Sequence, residues 1–290
     1  ASVTNALKQD KITTGPLVKK FEKKICTYTK SQHAVVCNSG TSALYLAFKA
    51  TNLKKDDIVI MPSITFVSSY SVAKILNAKV YLADVDPVSG QMTPQNVIDC
   101  CKKFKIKKIK ILVLMYHTGY PLNADNFRKI KKDFGCYIIE DACHALGAHY
   151  VSGKKKYMIG SCKHSDISTF SFHPVKSITT CEGGAVTTNI KKICNKVLSL
   201  RSIGLKRSMS HWDYNVEELS LNFRLSDIQC ALGINQLKYL NTFIKRRKKI
   251  SNFYDKKLTN HKDFYFVKHK KKFNSSYHLY FIKFNKFNLK

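Results

Sequence analysis

Lys176 stands in the run Ser171-Phe172-His173-Pro174-Val175-Lys176-Ser177-Ile178-Thr179-Thr180-Cys181-Glu182-Gly183-Gly184. An apolar, β-rich stretch at residues 167–172 ends in His-Pro just before it, and a Glu-Gly-Gly turn leads on into Ala185-Val186. A lysine at the end of a buried strand loses hydration, which lowers its ammonium pKa and makes the amine nucleophilic enough to form a Schiff base with an aldehyde. The plain alternative is a surface lysine in a loop. In a chain with 50 lysines and arginines that is the default for almost every other lysine. What sets Lys176 apart is the set of residues found elsewhere in the chain.

Three further stretches carry residue types that suit an aldehyde cofactor with a ring and a phosphate. In Tyr137-Ile138-Ile139-Glu140-Asp141-Ala142-Cys143-His144 an apolar strand ends in two acids. Open α/β sheets bind ligands at the carboxyl ends of their strands, which is where Asp141 falls. A carboxylate there can pair with the pyridinium nitrogen of pyridoxal phosphate and keep the ring an electron sink. The competing role for Asp141 is a helix cap. In Val35-Val36-Cys37-Asn38-Ser39-Gly40-Thr41-Ser42-Ala43-Leu44 a strand turns through small residues into a helix pattern. The Gly40 and Thr41 N–H groups at that helix start form an anion site suited to a phosphate. No Gly-Lys-Ser/Thr follows, so this is not a Walker A loop. In Met61-Pro62-Ser63-Ile64-Thr65-Phe66 the aromatic could stack on a ring face, although an aromatic near a helix start more often belongs to the core.

The elements that must position these residues follow from hydrophobic periodicity. Strand patterns near 34–37, 57–61, 79–83, 108–115, 136–140, 166–171 and 184–188 alternate with helix patterns. Such alternation gives an α/β fold with a mainly parallel central sheet flanked by helices. A long amphipathic stretch over residues 226–258 turns basic at Lys245-Arg246-Arg247-Lys248-Lys249, a run that reads as a solvated helix face. The chain has no starting Met, opens inside a helix pattern and stops at Asn288-Leu289-Lys290 in an unfinished strand pattern, so it reads as a piece of a longer protein.

A formal charge of +31 raises nucleic-acid binding as a function class. Only six of the cations are arginine, and the lysines are spread along the chain, with short runs such as 154–156 and 270–272. That distribution describes a solvated basic surface that would attract an anionic ligand, and it argues against a nucleic-acid role. The ten cysteines form no Cys-x-x-Cys and no Cys/His set at zinc spacing, so no metal site is expected. Cys37, Cys136, Cys143 and Cys230 lie in apolar runs and read as small buried hydrophobes in a reducing cytoplasm. No apolar run reaches the roughly 18 residues of a membrane span.

In this order, phosphate turn, aromatic, Asp at a strand end and then lysine, the chain resembles the sugar-nucleotide aminotransferases of the DegT/DnrJ/EryC1/StrS family from about Asp10 to Lys290. The Phe-His-Pro-Val-Lys stretch with Glu182-Gly183-Gly184 is similar to the pseudaminic acid branch. So are Trp212-Asp213, Asn222-Phe223-Arg224-Leu225-Ser226-Asp227 and the segment 231–237. The resemblance implies a type I fold dependent on pyridoxal phosphate, with a large cofactor-binding domain at 1–235 and the start of a small, incomplete C-terminal α+β domain at 236–290. It implies that Lys176 carries the cofactor and shuttles protons, that Asp141 pairs the ring nitrogen, and that His144 lies near the ring hydroxyl. Ser171, Gly40 and Thr41 would hold the phosphate, and Phe66 would stack on the ring. Asn222 would reach into the site of a neighbouring subunit, making a homodimer. Asp10, Lys11, Ile12 and Thr13, with Gly40, Ser171 and Asn222, would meet the substrate. The implied reaction moves an amino group from L-glutamate to a UDP-linked 4-keto-6-deoxy-N-acetylhexosamine. A different keto sugar, or a catalytically silent cofactor-binding piece, remains as the alternative. Relatives that dehydrate sugars carry histidine in place of the lysine, and Lys176 separates this chain from them. Ser220-Leu221 departs from the family's Gly-Tyr before Asn222, and Phe281 replaces the proline expected after Tyr277-His278-Leu279-Tyr280. Tyr116-His117-Thr118-Gly119 stands where family members vary.

Overall fold

The computed structural model describes residues 1–207, 213–259, 261–266 and 273–284. Trp212, the lysine run 270–272 and Asn288-Leu289-Lys290 lie outside the described residues. The chain runs α1 (Ser2–Leu7), α2 (Pro16–Thr29), β1 (His33–Cys37), α3 (Gly40–Ala50), β2 (Ile58–Pro62), α4 (Val67–Ile75), β3 (Lys79–Ala83), α5 (Pro94–Lys103), β4 (Ile111–Met115), α6 (Arg128–Phe134) and β5 (Tyr137–Asp141). It continues through β6 (His149–Ser152), β7 (Lys155–Met158), β8 (Ile167–Ser171), β9 (Gly184–Thr188), α7 (Lys191–Arg201), β10 (Leu205–Arg207), β11 (Tyr214–Val216), α8 (Asp227–Leu258), β12 (Phe264–Phe266) and β13 (Ile282–Phe284).

Seven strands make one sheet in the order β1-β9-β8-β5-β4-β2-β3. Six of them point the same way, and only β9 is antiparallel, between β1 and β8. Alternation along the strands sends side chains to two cores. Ile60, Leu112, Ile138 and Phe170 pack with α2, α5, α6 and α8 on one face. Val59, Met61, Ile111, Val113 and Ile139 pack with α3, α4 and α7 on the other. β4 is buried at all five positions, as an apolar run covered on both faces requires. The result is the mainly parallel sheet flanked by helices that the alternation predicts, with strand ends displaced by at most three residues.

Helix starts are legible in the caps. Ser39 Oγ accepts the Ser42 N–H at 3.0 Å at the head of α3. Thr93 and Asn96 form a capping box on α5 with Pro94 just inside it, and Ser226 with Gln229 forms another on α8. At 32 residues, α8 is roughly 48 Å long. The domain boundary expected at residue 236 falls inside this continuous helix. The β6–β7 hairpin has no counterpart among the strand patterns, because its second strand opens on lysines that read as a solvated charge run. Gly153, at φ +57°, makes its turn.

Candidate active site

Because β1, β5 and β8 run parallel and β9 enters from the same side, the segments after Cys37, Asp141 and Ser171 and before Gly184 converge on one sheet edge. A cavity of about 380 Å³ opens there, lined by Ser39, Gly40, Thr41, Leu44, Phe66, Ser68, Met115, Asp141, Cys143, His144, Ser171, His173, Val175, Lys176 and Glu182. Seven of the residues singled out from sequence are thus brought together: Gly40, Thr41, Phe66, Asp141, His144, Ser171 and Lys176.

At one end, the start of α3 leans on the end of β8. A Cβ on Gly40 would lie 2.7 Å from Ser171 Cβ, so only glycine allows this approach. Ser39 takes the Ser42 and Ala43 N–H groups, while those of Gly40 and Thr41 have no acceptor within the helix. Thr41 Oγ1 and Ser68 Oγ share a hydrogen bond of 3.0 Å beside them. At the other end, Asp141 is 2% exposed, and its carboxylate is oriented by Ser69 Oγ (3.1 Å) and the Cys143 N–H (3.3 Å). No helix follows Asp141, which removes its competing role as a cap. Phe66 is 64% exposed at the mouth, so it does not belong to the core.

Lys176 does not end a buried strand. β8 stops at Ser171, and the lysine sits half-buried in a turn, its N–H donating to His173 O at 2.9 Å. Its carbonyl accepts from Arg247 Nη2 at 2.9 Å. Arg247 belongs to the basic run of α8. Lys245, Arg246, Lys248 and Lys249 are exposed as a solvated face requires, while Arg247 turns inward.

The segment 275–279 packs behind the site, against His144. Ser276 and His278 donate their N–H groups to Gly119 O (3.0 Å) and Thr118 O (2.9 Å), and Ser276 Oγ donates to His144 O. Gly119, at φ +86°, receives this segment, and a Cβ there would strike Ser276. His278 thereby packs against His144, with ring centroids 4.2 Å apart and planes tilted by 39°. Burial first, then neighbouring His278 and Lys176, pushes His144 down to about 2. Burial, then Lys176 and Arg247, pushes His278 down to about 4. Both are neutral imidazoles, and the Nδ1 of each is buried without a partner. Burial and the adjacent Asp141 carboxylate hold Cys143 well above the ordinary thiol range, so it is a thiol and no nucleophile.

The other sequence-singled residues lie elsewhere. Asp10, Lys11, Ile12 and Thr13 are exposed, and the carbonyls of Ile12 and Thr13 accept the Asp227 N–H at 3.1 and 2.8 Å. Asp227, fully buried, in turn takes the Gly15, Leu17 and Val18 N–H groups at 2.8, 3.0 and 3.3 Å. Thr13 lines a second depression of about 1180 Å³ together with Arg224. Asn222 is exposed, its side chain accepting the Arg224 N–H at 3.2 Å, and it does not reach this chain's own cavity.

Pyridoxal phosphate fits these residues on three counts. The Gly40–Ser171 approach leaves two free N–H groups and a hydroxyl at one end, suited to a phosphate. A pre-oriented carboxylate lies at the other end, and a neutral His144 nitrogen is unpartnered between them. Sequence reasoning gave no site role to His278, Arg247, Ser69 or Asp227. Arg247 left one signal, an arginine retained in a chain whose cations are nearly all lysine, where only a guanidinium offers a forked set of donors.

A lysine and an aspartate on one ring-sized cavity, at the carboxyl edge of a mainly parallel sheet, define a pyridoxal-phosphate-dependent aminotransferase of type I fold. The chain belongs to the DegT/DnrJ/EryC1/StrS aminotransferase family, whose sequence model matches residues 1–289. It is 39% identical over 285 residues to the UDP-4-amino-4,6-dideoxy-N-acetyl-beta-L-altrosamine transaminase of Campylobacter jejuni subsp. jejuni serotype O:23/36 (strain 81-176), covering 96% of this chain and 72% of that protein. It is 32% identical over 244 residues to GDP-perosamine synthase of Escherichia coli O157:H7, covering 84% and 64%. Among solved structures, Helicobacter pylori PseC, an aminotransferase involved in the biosynthesis of pseudoaminic acid, superposes with a TM-score of 0.89 at 28% identity, over 98% of this chain and 74% of that one. The PLP form of the sugar aminotransferase Spr1654 from Streptococcus pneumoniae gives a TM-score of 0.86 at 27% identity, over 98% and 74%.

Proposed function

We propose that this chain transfers an amino group from L-glutamate to C4 of a UDP-linked 4-keto-6-deoxy-N-acetylhexosamine, as a step in making a pseudaminic acid-type sugar. The observation that carries the chemistry is the placement of Lys176 and Asp141 on one cavity that also holds the Gly40–Thr41 helix start and Ser171. The acceptor class rests on the 39% identity to the altrosamine transaminase.

In this reading the Gly40 and Thr41 N–H groups and the Ser171 hydroxyl hold the cofactor phosphate. Phe66 covers one ring face, and His144 meets the ring hydroxyl as a neutral imidazole. Asp141 pairs the ring nitrogen and holds a proton on it. Bound this way, pyridoxal phosphate supplies the aldehyde carbon that exchanges the amino group and an electron-poor ring that stabilises negative charge at that carbon. Lys176 is the residue that would carry the cofactor. Its Nζ would take the proton from the α-carbon of glutamate and pass it to the cofactor's aldehyde carbon, and in the second half-reaction would take a proton from that carbon and give it to C4 of the sugar.

Asp10, Lys11, Ile12 and Thr13 meet the sugar nucleotide, with Gly40, Ser171 and Asn222. Asn222 does so in the site of a second copy. Its exposure, and that of Phe66, Val67, Tyr70, Leu219 and Leu221, support a homodimer that covers them. The large domain is taken as 1–235 and the small one as beginning at 236, with α8 running through both. We place the protein in the cytoplasm, where nucleotide-sugars are made. No helix of the described residues is long and apolar enough to cross a membrane.

The direct test is incubation of the loaded protein with glutamate and the UDP-4-keto sugar, with product identified by mass and NMR. The GDP-linked keto sugar of the perosamine route serves as the competitor. A 4-amino UDP-sugar with release of 2-oxoglutarate is expected. Preference for the GDP sugar would move the acceptor, and no amino transfer to either would remove the enzyme reading.

A further inference from the structure

We propose that Arg247 is a positioning residue for Lys176: from α8 it fixes the backbone of the lysine turn, so that Nζ stays over the cavity each time the side chain attaches and leaves. This rests on the reading of Lys176 as the cofactor-bearing amine. That lysine has an unusual requirement, because its side chain must swing away and return while its main chain keeps one position. Within the turn its N–H is satisfied by His173 O at 2.9 Å. Among the described residues, the one hydrogen bond that reaches its backbone from another element is Arg247 Nη2 to the Lys176 carbonyl, at 2.9 Å.

Arg247 has no other evident occupation. It forms no ion pair among the described residues, although it is half-buried. Its Nη1 is buried without a partner, and loss of hydration lowers its pKa. Burying a guanidinium without a carboxylate costs free energy that an exposed side chain would avoid, and its four neighbours in the basic run are exposed. A planar fork with fixed donor directions holds a carbonyl in place better than a flexible ammonium does.

The same helix holds the turn at two other points. Gln229 Nε2 donates to Glu182 O at 2.9 Å, while its Oε1 completes the cap with Ser226. Gly233 lies so close that a Cβ there would sit 2.7 Å from Thr180 Cγ2. Residues 229, 233 and 247 of one rigid rod therefore engage residues 182, 180 and 176 of the turn, and Arg247 is the contact nearest the amine.

The test separates attachment from simple binding in the full chain. Nζ condenses with the cofactor aldehyde, forming a carbon–nitrogen double bond and releasing water. Borohydride reduces that bond, and mass spectrometry of the Lys176 peptide then counts attached chains. Pyridoxamine phosphate has no aldehyde, so its affinity reports the phosphate and ring contacts alone. In Arg247→Ala, the pyridoxal phosphate concentration needed for half-maximal attachment is expected to rise about tenfold, the scale of one charge-assisted hydrogen bond. Pyridoxamine phosphate affinity should stay within about twofold of the parent by the same reasoning. Arg247→Lys, keeping the charge and a donor, should recover part of the loss. If Arg247→Ala does not accumulate folded, Arg247→Gln keeps the stem and serves the same comparison. Unchanged attachment, or equal losses for the two cofactor forms, overturns the proposal. Failure of the parent protein to label at Lys176 would instead remove the reading on which it rests.

Discussion

The site has an inner wall that lines the cavity and an outer wall that backs it, and the two differ in origin. The inner wall is the edge of the sheet, where Gly40, Thr41, Asp141 and Ser171 are set by strand ends that pair with one another. The outer wall is assembled from distant pieces that do not line the cavity: Arg247 on α8, and His278 in a segment that returns onto Thr118 and Gly119. The inner wall holds the groups that would bond to cofactor and substrate. The outer wall touches Lys176 and His144 from behind. Chemistry and its support are thus separable along the chain, and substitutions should separate them in the laboratory.

The largest effect belongs to the sheet edge and its loop. Lys176→Ala should lower turnover by roughly 10³-fold or more while leaving the denaturation midpoint in place, since proton transfer by a positioned group supplies 10²–10⁴-fold. Substantial activity in that variant would end the assignment. Asp141→Asn keeps the size and loses the charge, and kcat should fall about a hundredfold, the scale of one preorganised electrostatic contact. A loss confined to KM would place Asp141 outside the chemistry. On the supporting side the reverse pattern is expected. Asp227→Ala leaves three N–H groups at the start of α2 short of an acceptor and should cost about 2 kcal/mol in urea denaturation. A neutral result would mean that water replaces the carboxylate there.

The smallest effect is a slope. His144 and His278 are held neutral at folded values of about 2 and about 4, whereas the unfolded chain protonates them near about pH 6.5. The unfolded state therefore binds more protons in that window, and stability should fall as pH drops below about 6.5. His278→Gln removes one of these protonations and should flatten the acid limb of the stability curve. If the slope is the same in both proteins, the two imidazoles are not kept dry.

The division between the walls also marks what was legible in the sequence. Asp141 could be found because an apolar run ends in an acid, and Gly40 because a strand turns through small residues into a helix. Both signals are local, and parallel pairing then brings them to one edge. The contact between His144 and His278 leaves no such trace, because it depends on a segment far along the chain being received by the positive-φ turn at Thr118 and Gly119. Lys176 was found from its neighbours and misplaced by a few residues, since the apolar run that precedes it stops pairing at Ser171. The β6–β7 hairpin was hidden by its lysines, whose pattern speaks of solvent before it speaks of a strand.

The one reversed strand, β9, has a consequence for how the molecule is made. Among the described residues β1 pairs only with β9, so the backbone of His33–Cys37 emerges from the ribosome without a strand partner and waits until Gly184–Thr188 has been synthesised. Contacts so far apart in sequence close slowly. The turn that follows β1, which we propose for the phosphate, can therefore take its final shape only after Lys176 has been translated, and an unfinished nascent chain would lack a completed cofactor site.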